Sequence, residues 1–208
     1  MRNLAKSTLL GSLVLGATLI TTAACSNVTV TPAPAASSEA GAMMHGNDSS
    51  DALVNQGIGT MMDSDVMFLE MMIPHHQQAV EMSQLAASHG ASPEVQKLAD
   101  AIASEQGPEI EQMQSWLDDA HAPDMMGGST MGMAGVLSET EMMKLEAVQG
   151  ADFDRLYLEG MIGHHEGAIT MAQDVIDSGE NPTVIALAKK IIAAQTAENA
   201  QMKKMLGQ

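Results

Sequence analysis

The 208-residue chain predicts an all-α fold, a four-helix bundle built from two duplicated helical hairpins. Three observations predict it. The second half aligns on the first at a constant offset of 89, without a gap, as Asp65–Leu117 against Asp154–Leu206, and 21 of those 53 paired positions are identical. Apolar residues recur at the three-and-four spacing of one helix face through both halves. Beyond the first 24 residues the chain is poor in the aromatic and β-branched runs that mark strands.

Residues 1–24 read as a signal peptide. Arg2 and Lys6 precede an apolar run from Leu9 to Ala24, shorter than a comfortable membrane span, which ends in the small residues Thr21-Thr22-Ala23-Ala24 before Cys25. A Cys placed there resembles a bacterial lipobox, with Thr22 where Leu is usual, and implies a lipid anchor at Cys25 on the outer side of the cell membrane; without lipidation the chain is secreted or periplasmic. Cys25 is the only cysteine, so the mature domain has neither a disulfide nor a thiolate ligand, and soft-metal chemistry falls to methionine. Residues 25–59 are rich in Ala, Ser, Pro, Gly and Asp, with too little apolar surface to offset the entropy of ordering them, and read as a flexible tether. Residues 60–207 form the bundle domain.

Within repeat one (residues 65–117), Phe68, Leu69, Met72, Ala79, Met82 and Ala86 define the buried face of the first long helix, and Val95, Leu98, Ile102, Met113 and Leu117 that of the second. The turn HGASPEV between them and its counterpart SGENPTV in repeat two (154–206) supply Gly90 and Gly179 as C-terminal caps. Ser92 and Asn181 are the N-caps, and Pro93 and Pro182 take the first helical position, where a missing N–H costs least. Pro74 falls inside the first helix, where it removes a donor and predicts a kink; Gly163 stands at the matching point of the third. Between the repeats, the connection at 121–135 is Gly- and Met-rich, and Ser138-x-x-Glu141 is a capping-box signal for an extra helical turn or two.

Inside this frame MIPHHQQAVEM, from Met72 to Met82, returns as MIGHHEGAITM, from Met161 to Met171. Met72 lies four residues before His76, as Met161 does before His165, and His75 and His164 lie seven before Met82 and Met171, so imidazole and thioether share the inward face. Packing of the two repeats predicts that His75, His76, His164 and His165, with Met72, Met82, Met161 and Met171, meet in one central zone. Helices two and four put Gln106, Glu109 and Met113, and Gln195, Glu198 and Met202, on their apolar stripes, where Glu109 and Glu198 either orient imidazole N–H groups or ligate directly. A stripe rotated toward solvent explains the same pattern, as core packing explains the methionines. Burying four histidines is nevertheless an expensive way to fill space, since each needs hydrogen-bond partners.

Imidazole with thioether is the donor mixture suited to copper, His serving Cu(II) and Met serving Cu(I). Methionine amounts to 20 residues, several times its ordinary share, and Met125, Met126, Met131 and Met133 in the connection and Met43-Met44-His45 in the tether have no core to fill. Capture of Cu(I) or Ag(I) gives them a purpose. The mature chain carries seven basic against 26 acidic residues, a net −19, which argues against nucleic acid and anionic membrane partners and suits cations.

FLEMMIPHHQQAVEM and YLEGMIGHHEGAITM, each followed by a helix bearing Q-x-x-E-x-x-x-M, resemble the domain-of-unknown-function 305 family over roughly residues 60–207. The resemblance implies a ferritin-like bundle, copper binding as in some envelope members, and motif positions at Met72, His75, His76, Met82, Met161, His164, His165 and Met171. The expected function is non-enzymatic: a lipid-anchored, extracytoplasmic copper protein that buffers the metal or delivers it to a copper transporter or cuproprotein. A ferritin-like oxidoreductase and a structural helical lipoprotein are the alternatives. The Glu-x-x-His pairs of carboxylate di-metal bundles do not occur in the chain.

Overall fold

The computed structural model describes residues 53–55, 58–125, 127 and 132–208. The expected signal peptide, Cys25, most of the tether with Met43, Met44 and His45, and Met126 and Met131 lie outside the described residues. The elements run β1 (Leu53–Asn55), β2 (Gly59–Met61), α1 (Asp63–Ser88), α2 (Pro93–Ala120), α3 (Glu139–Glu146), α4 (Ala151–Ser178) and α5 (Pro182–Met205). The fold is all-α in class. α1 packs chiefly on α2, α4 on α5, and α1 and α4 meet between the two hairpins.

Local signals explain most helix boundaries. Ser92 accepts from the Val95 N–H ahead of α2, Asn181 from the Thr183 and Val184 N–H groups ahead of α5, and Pro93 and Pro182 follow directly. The capping box at Ser138 and Glu141 starts α3. Helix α1 runs through Pro74 from Asp63 to Ser88 as one element. The two glycine caps separate in kind. Gly90 is left-handed, at φ 65°, and the Ala91 N–H returns to the Ala86 carbonyl, the closing bond of a Schellman turn. Gly179 is extended, at φ −80°; a Cβ there would collide with Asp65 Oδ1 and lie 2.7 Å from the Val175 carbonyl oxygen, so this glycine serves close approach.

The strands depart from the sequence expectation. Leu53 pairs with Met61, Val54 with Thr60 and Asn55 with Gly59 in a short antiparallel ladder, inside and just beyond the segment read as tether. Ile58 and Met61 are buried in the apolar cluster at this end of the bundle. Asn181 holds the turn in place, its Nδ2 donating to the Ile58 carbonyl at 2.9 Å and the Thr60 carbonyl at 2.8 Å while its Oδ1 caps α5. That amide joins a helix start to a segment more than a hundred residues earlier, a contact that local pattern does not reveal.

The core is divided in two. One cluster joins the N-terminal half of α1 (Val66, Phe68, Leu69, Met72) to the C-terminal half of α4 (Ala168, Met171, Ala172, Val175). The other joins Ala79, Met82 and Ala86 to Phe153, Tyr157, Leu158 and Met161. The two helices therefore run antiparallel, and the hairpins are related by a pseudo-twofold axis across the middle of the pair.

Two aspartates lock this arrangement reciprocally. Asp65, at the start of α1, is fully buried; it accepts from the Met62 N–H at 2.9 Å and, across the bundle, from the Asn181 N–H at 3.2 Å and the Glu180 N–H at 3.4 Å, beside the start of α5. Asp154, its repeat partner on α4, accepts from the Ser92 N–H at 3.1 Å, beside the start of α2. Each hairpin thus holds the turn of the other. Asp65→Ala strands buried N–H groups and is expected to cost about 3 kcal/mol in urea unfolding, whereas Asp154→Ala, at a half-buried position, costs about 1 kcal/mol. Equal and negligible losses would show that the two clamps do not hold the hairpins together.

Candidate metal centre

His75, His76, His164 and His165 are fully buried and, with Gln106, Glu109, Gln195 and Asn199, form a polar layer between the two apolar clusters. Helical geometry puts them there. His75 and His76 follow Met72 by three and four residues and continue its buried stripe, and the same register holds from Met161 on α4. Neighbouring helical residues diverge by about 100°, so the two rings of a pair take different surroundings. His75 and His164 face each other across the pseudo-twofold axis with ring centroids 3.8 Å apart and planes tilted by 44°. His76 and His165 turn outward to the second helix of their own hairpins. There the His76 Nε2–H donates to Glu109 Oε2 at 3.0 Å and the His165 Nε2–H donates to Glu198 Oε2 at 2.7 Å.

These bonds select tautomers. A carboxylate only accepts, so each of these rings carries a proton on Nε2, and the neutral ring keeps its lone pair on Nδ1. His75 reaches the same state by another route, donating from Nε2 to the backbone carbonyl of Ala134 at 3.2 Å. Among the described residues the Nδ1 atoms of His75, His76 and His165 and both ring nitrogens of His164 find no hydrogen-bond partner, and they are buried. Gln106 Oε1 and Nε2, Gln195 Oε1 and Asn199 Oδ1 are in the same condition. Buried polar atoms are paired in the great majority of cases, so this concentration makes the layer the candidate site.

Charge follows from burial. Desolvation, reinforced by the neighbouring His76, lowers the pKa of His75 to about 3 despite its bond to Ala134. Desolvation and the facing His75 put His164 well below its ordinary value. Both inner rings are thus neutral at physiological pH, the form in which imidazole ligates and the form that lets two rings approach so closely. Glu109 shows the opposite balance: burial raises its pKa, but hydrogen bonds from His76 and from Lys190, whose Nζ lies 2.9 Å away, outweigh burial and hold it below the usual carboxylate range. Lys190 has Ala101 at its matching position in repeat one, and among the described residues no lysine bridges to Glu198, so the outer dyads differ in charge.

The methionines do not gather in one zone as the sequence reading expects. They divide by antiparallel packing: Met72, Met113 and Met171 lie in the first cluster, Met82, Met161 and Met202 in the second, and the offset of 89 exchanges one trio for the other. Each trio takes two residues from one hairpin and one from the other. Thioethers thus border the histidine layer on both sides. Among the described residues no three His, Cys, Asp or Glu side chains come together as a set of metal donors. A soft ion held here takes thioether sulfur together with imidazole nitrogen.

Other site features were not legible beforehand. Gln78 and the carbonyl of Ala134 bring the connection onto the bundle, and Tyr157 hydrogen-bonds Ser83 at 3.0 Å across the second cluster. In the sequence the asymmetry shows as mismatched repeat partners, among them Gln78 against Gly167 and Lys190 against Ala101. In the connection Met125 is exposed and Met133 half-buried; Glu70 accepts from the Met125 N–H at 3.0 Å, while Glu159 pairs with Arg155 on the outer face of α4.

Comparison with known proteins places this geometry. A putative secreted protein from Streptomyces coelicolor is 32% identical, with a TM-score of 0.64 over 69% of this chain and 92% of that one. A fragment from Deinococcus radiodurans is 29% identical, with a TM-score of 0.65 over 71% and 97%. CopM in its Cu(II)-bound form is 36% identical, with a TM-score of 0.59 over 68% and 94%, and that protein also has Cu(I)-bound and Ag-bound structures. No curated protein sequence matches the chain. The family model for a domain of unknown function, DUF305, matches residues 65–206, from the first buried aspartate to the end of α5, and the chain belongs to the DUF305 family.

Proposed function

We propose that this protein is an extracytoplasmic copper-binding protein, anchored by lipid on Cys25, that buffers copper or passes it to a transporter or cuproprotein and performs no catalysis. One observation carries the reading: imidazole nitrogens fixed as lone-pair donors, buried and without partners, in a layer bordered by two trios of buried methionines. The donor set fits the metal. Imidazole suits Cu(II), thioether suits Cu(I) and Ag(I), and a site offering both tolerates either oxidation state of its cargo. CopM, alike in fold and about one-third identical, binds copper and silver. A leader ending at Cys25 and a strongly acidic mature chain agree with a cation-handling role outside the cytoplasmic membrane. Among the described residues no helix is long and apolar enough to cross a membrane.

In this reading Glu109 and Glu198 hold the outer rings with Nδ1 inward and make those nitrogens better donors, and His75 and His164 complete the imidazole set from the centre. The methionines supply sulfur without a charge that would have to be buried.

Two outcomes are expected. Titration of the protein with Cu(I) and Cu(II) detects tight binding that is lost when His75, His76, His164 and His165 are all replaced by Ala, while Glu109→Gln with Glu198→Gln weakens it about 10- to 100-fold; affinity unchanged in the four-histidine variant sinks the reading. The second concerns the metal-free protein. Both inner histidines titrate below their unfolded value of about 6.5, His75 at about 3, so the unfolded chain binds more protons below pH 6.5; stability is complete above that pH and falls as the pH drops toward 3, by up to about 1.4 kcal/mol per pH unit for His75, with His164 acting in the same direction. Thermal melts at pH 7.5 and 5 check it, with His75→Gln and His164→Gln flattening the dependence; an equal drop in wild type and variants places the protons elsewhere.

A further inference from the structure

The duplication is broken on one face. Where α1 carries Met71, Pro74 and Gln78, α4 carries Gly160, Gly163 and Gly167 at the matching positions. Each glycine inside a helix costs about 0.5–1 kcal/mol relative to alanine, so three on one face need a reason. Packing explains Gly167: a Cβ there would fall on the carbonyl of Ala134, because residues Ala134–Leu137 cross α4 as a strap. The strap is fitted closely, with Gly135 at φ 81° and its own Cβ position 2.5 Å from the Gly163 carbonyl oxygen. Packing does not explain the other two. A Cβ on Gly163 would meet nothing within 4 Å, and one on Gly160 would meet only flexible ends, Leu137 Cδ2 at 3.2 Å and Met82 Cε at 3.4 Å.

Those two glycines line a cavity of about 490 Å³, together with Gly135, Val136 and Leu137 of the strap and Leu145 of α3. Its lining includes Gly163, next in sequence to His164, whose two ring nitrogens are buried and find no partner among the described residues. Through Gly160 it lies one missing side chain from the methyl group of Met82. The strap closes over the same place. It is held to α1 by three hydrogen bonds, none of them part of a helix: the His75 Nε2–H donates to the Ala134 carbonyl at 3.2 Å, the Gln78 Nε2–H donates to the Leu137 carbonyl at 2.9 Å, and the Leu137 N–H donates to Gln78 Oε1 at 2.7 Å. Breaking them frees the strap while leaving the helix ladders intact, and releases the one hydrogen bond that His75 makes.

We propose that the cargo ion enters and leaves through this cavity, with the strap Ala134–Leu137 as its cover, Gln78 as the latch and Gly160 and Gly163 as the open floor. The inference rests on the metal-binding reading above and adds the route of exchange. Met133 immediately precedes the strap, so a thioether stands at its edge as a first contact for a soft cation.

The test is anaerobic transfer of Cu(I) between the protein and a chromophoric Cu(I) chelator, followed in both directions, with thermal melts of every variant. Gly163→Leu fills the floor and is expected to slow loading and release by about tenfold or more, and Gln78→Ala unlatches the cover and speeds both by a similar factor, each leaving the dissociation constant within about threefold. Gly163→Ala, which adds one carbon to open space, behaves as wild type. Wild-type rates in Gly163→Leu and Gln78→Ala, or a changed dissociation constant without changed loading, overturn the port. Should Gly163→Leu not fold, Gln78→Ala alone decides on the same criterion. No Cu(I) uptake by the wild-type protein overturns the metal-binding reading and the port with it, whereas uptake with unaltered exchange overturns only the port.

Discussion

Four buried imidazoles held in one layer define the constraint on which the bundle turns. The outer two are satisfied on one side only, each by a glutamate from the second helix of its own hairpin, His76 with Glu109 and His165 with Glu198. Each bond puts a proton on Nε2, leaves Nδ1 buried and requires a carboxylate to sit in an otherwise apolar stripe. Placing the dyads midway along the helices divides the core into two apolar clusters, and those clusters carry the stability that the polar layer forgoes. Desolvation then keeps the inner pair, His75 and His164, uncharged and in contact.

Duplication supplies most of this at little informational cost. One hairpin sequence used twice around a pseudo-twofold axis yields two dyads, two methionine trios and the two reciprocal aspartate clamps, Asp65 on the turn of the second hairpin and Asp154 on that of the first. The departures from symmetry are local and chemically pointed. Lys190 neutralises Glu109 and has no counterpart at Ala101, so the two outer dyads present different charge to the same layer. The glycines of α4 accept a backbone strap where α1 offers Pro74 and Gln78, which leaves one face of the histidine layer covered by a connection rather than by a helix.

Methionine serves two purposes that sequence alone could not separate. Met72, Met82, Met113, Met161, Met171 and Met202 are all buried, and a packing role accounts for their placement without metal. Their position bordering unpartnered imidazole nitrogens gives the sulfur a chemical use in addition. Met125, exposed in the connection, packs into neither core cluster, and its backbone is tied to Glu70 rather than its side chain to the core.

The sequence by itself determined the helices, the duplication and most of the polar layer, though not Asn199, because these follow from local rules: a three-and-four apolar period, proline and Ser or Asn at helix starts, and a repeat at a fixed offset. It also placed the histidines, the methionines, Glu109 and Glu198 on inward faces. Tertiary structure decided which of them meet. Antiparallel packing of α1 on α4 sent the methionines into two trios instead of one zone, paired His75 with His164, and gave Gly179 a steric rather than a conformational task. The strap on Gly167, the β-hairpin pinned by Asn181 and the Lys190 bridge join residues 33, 121 to 123 and 81 positions apart in the chain. Periodicity reports only which face a residue lies on, whereas such pairings depend on how two faces are brought together, and only packing of the whole chain fixes that.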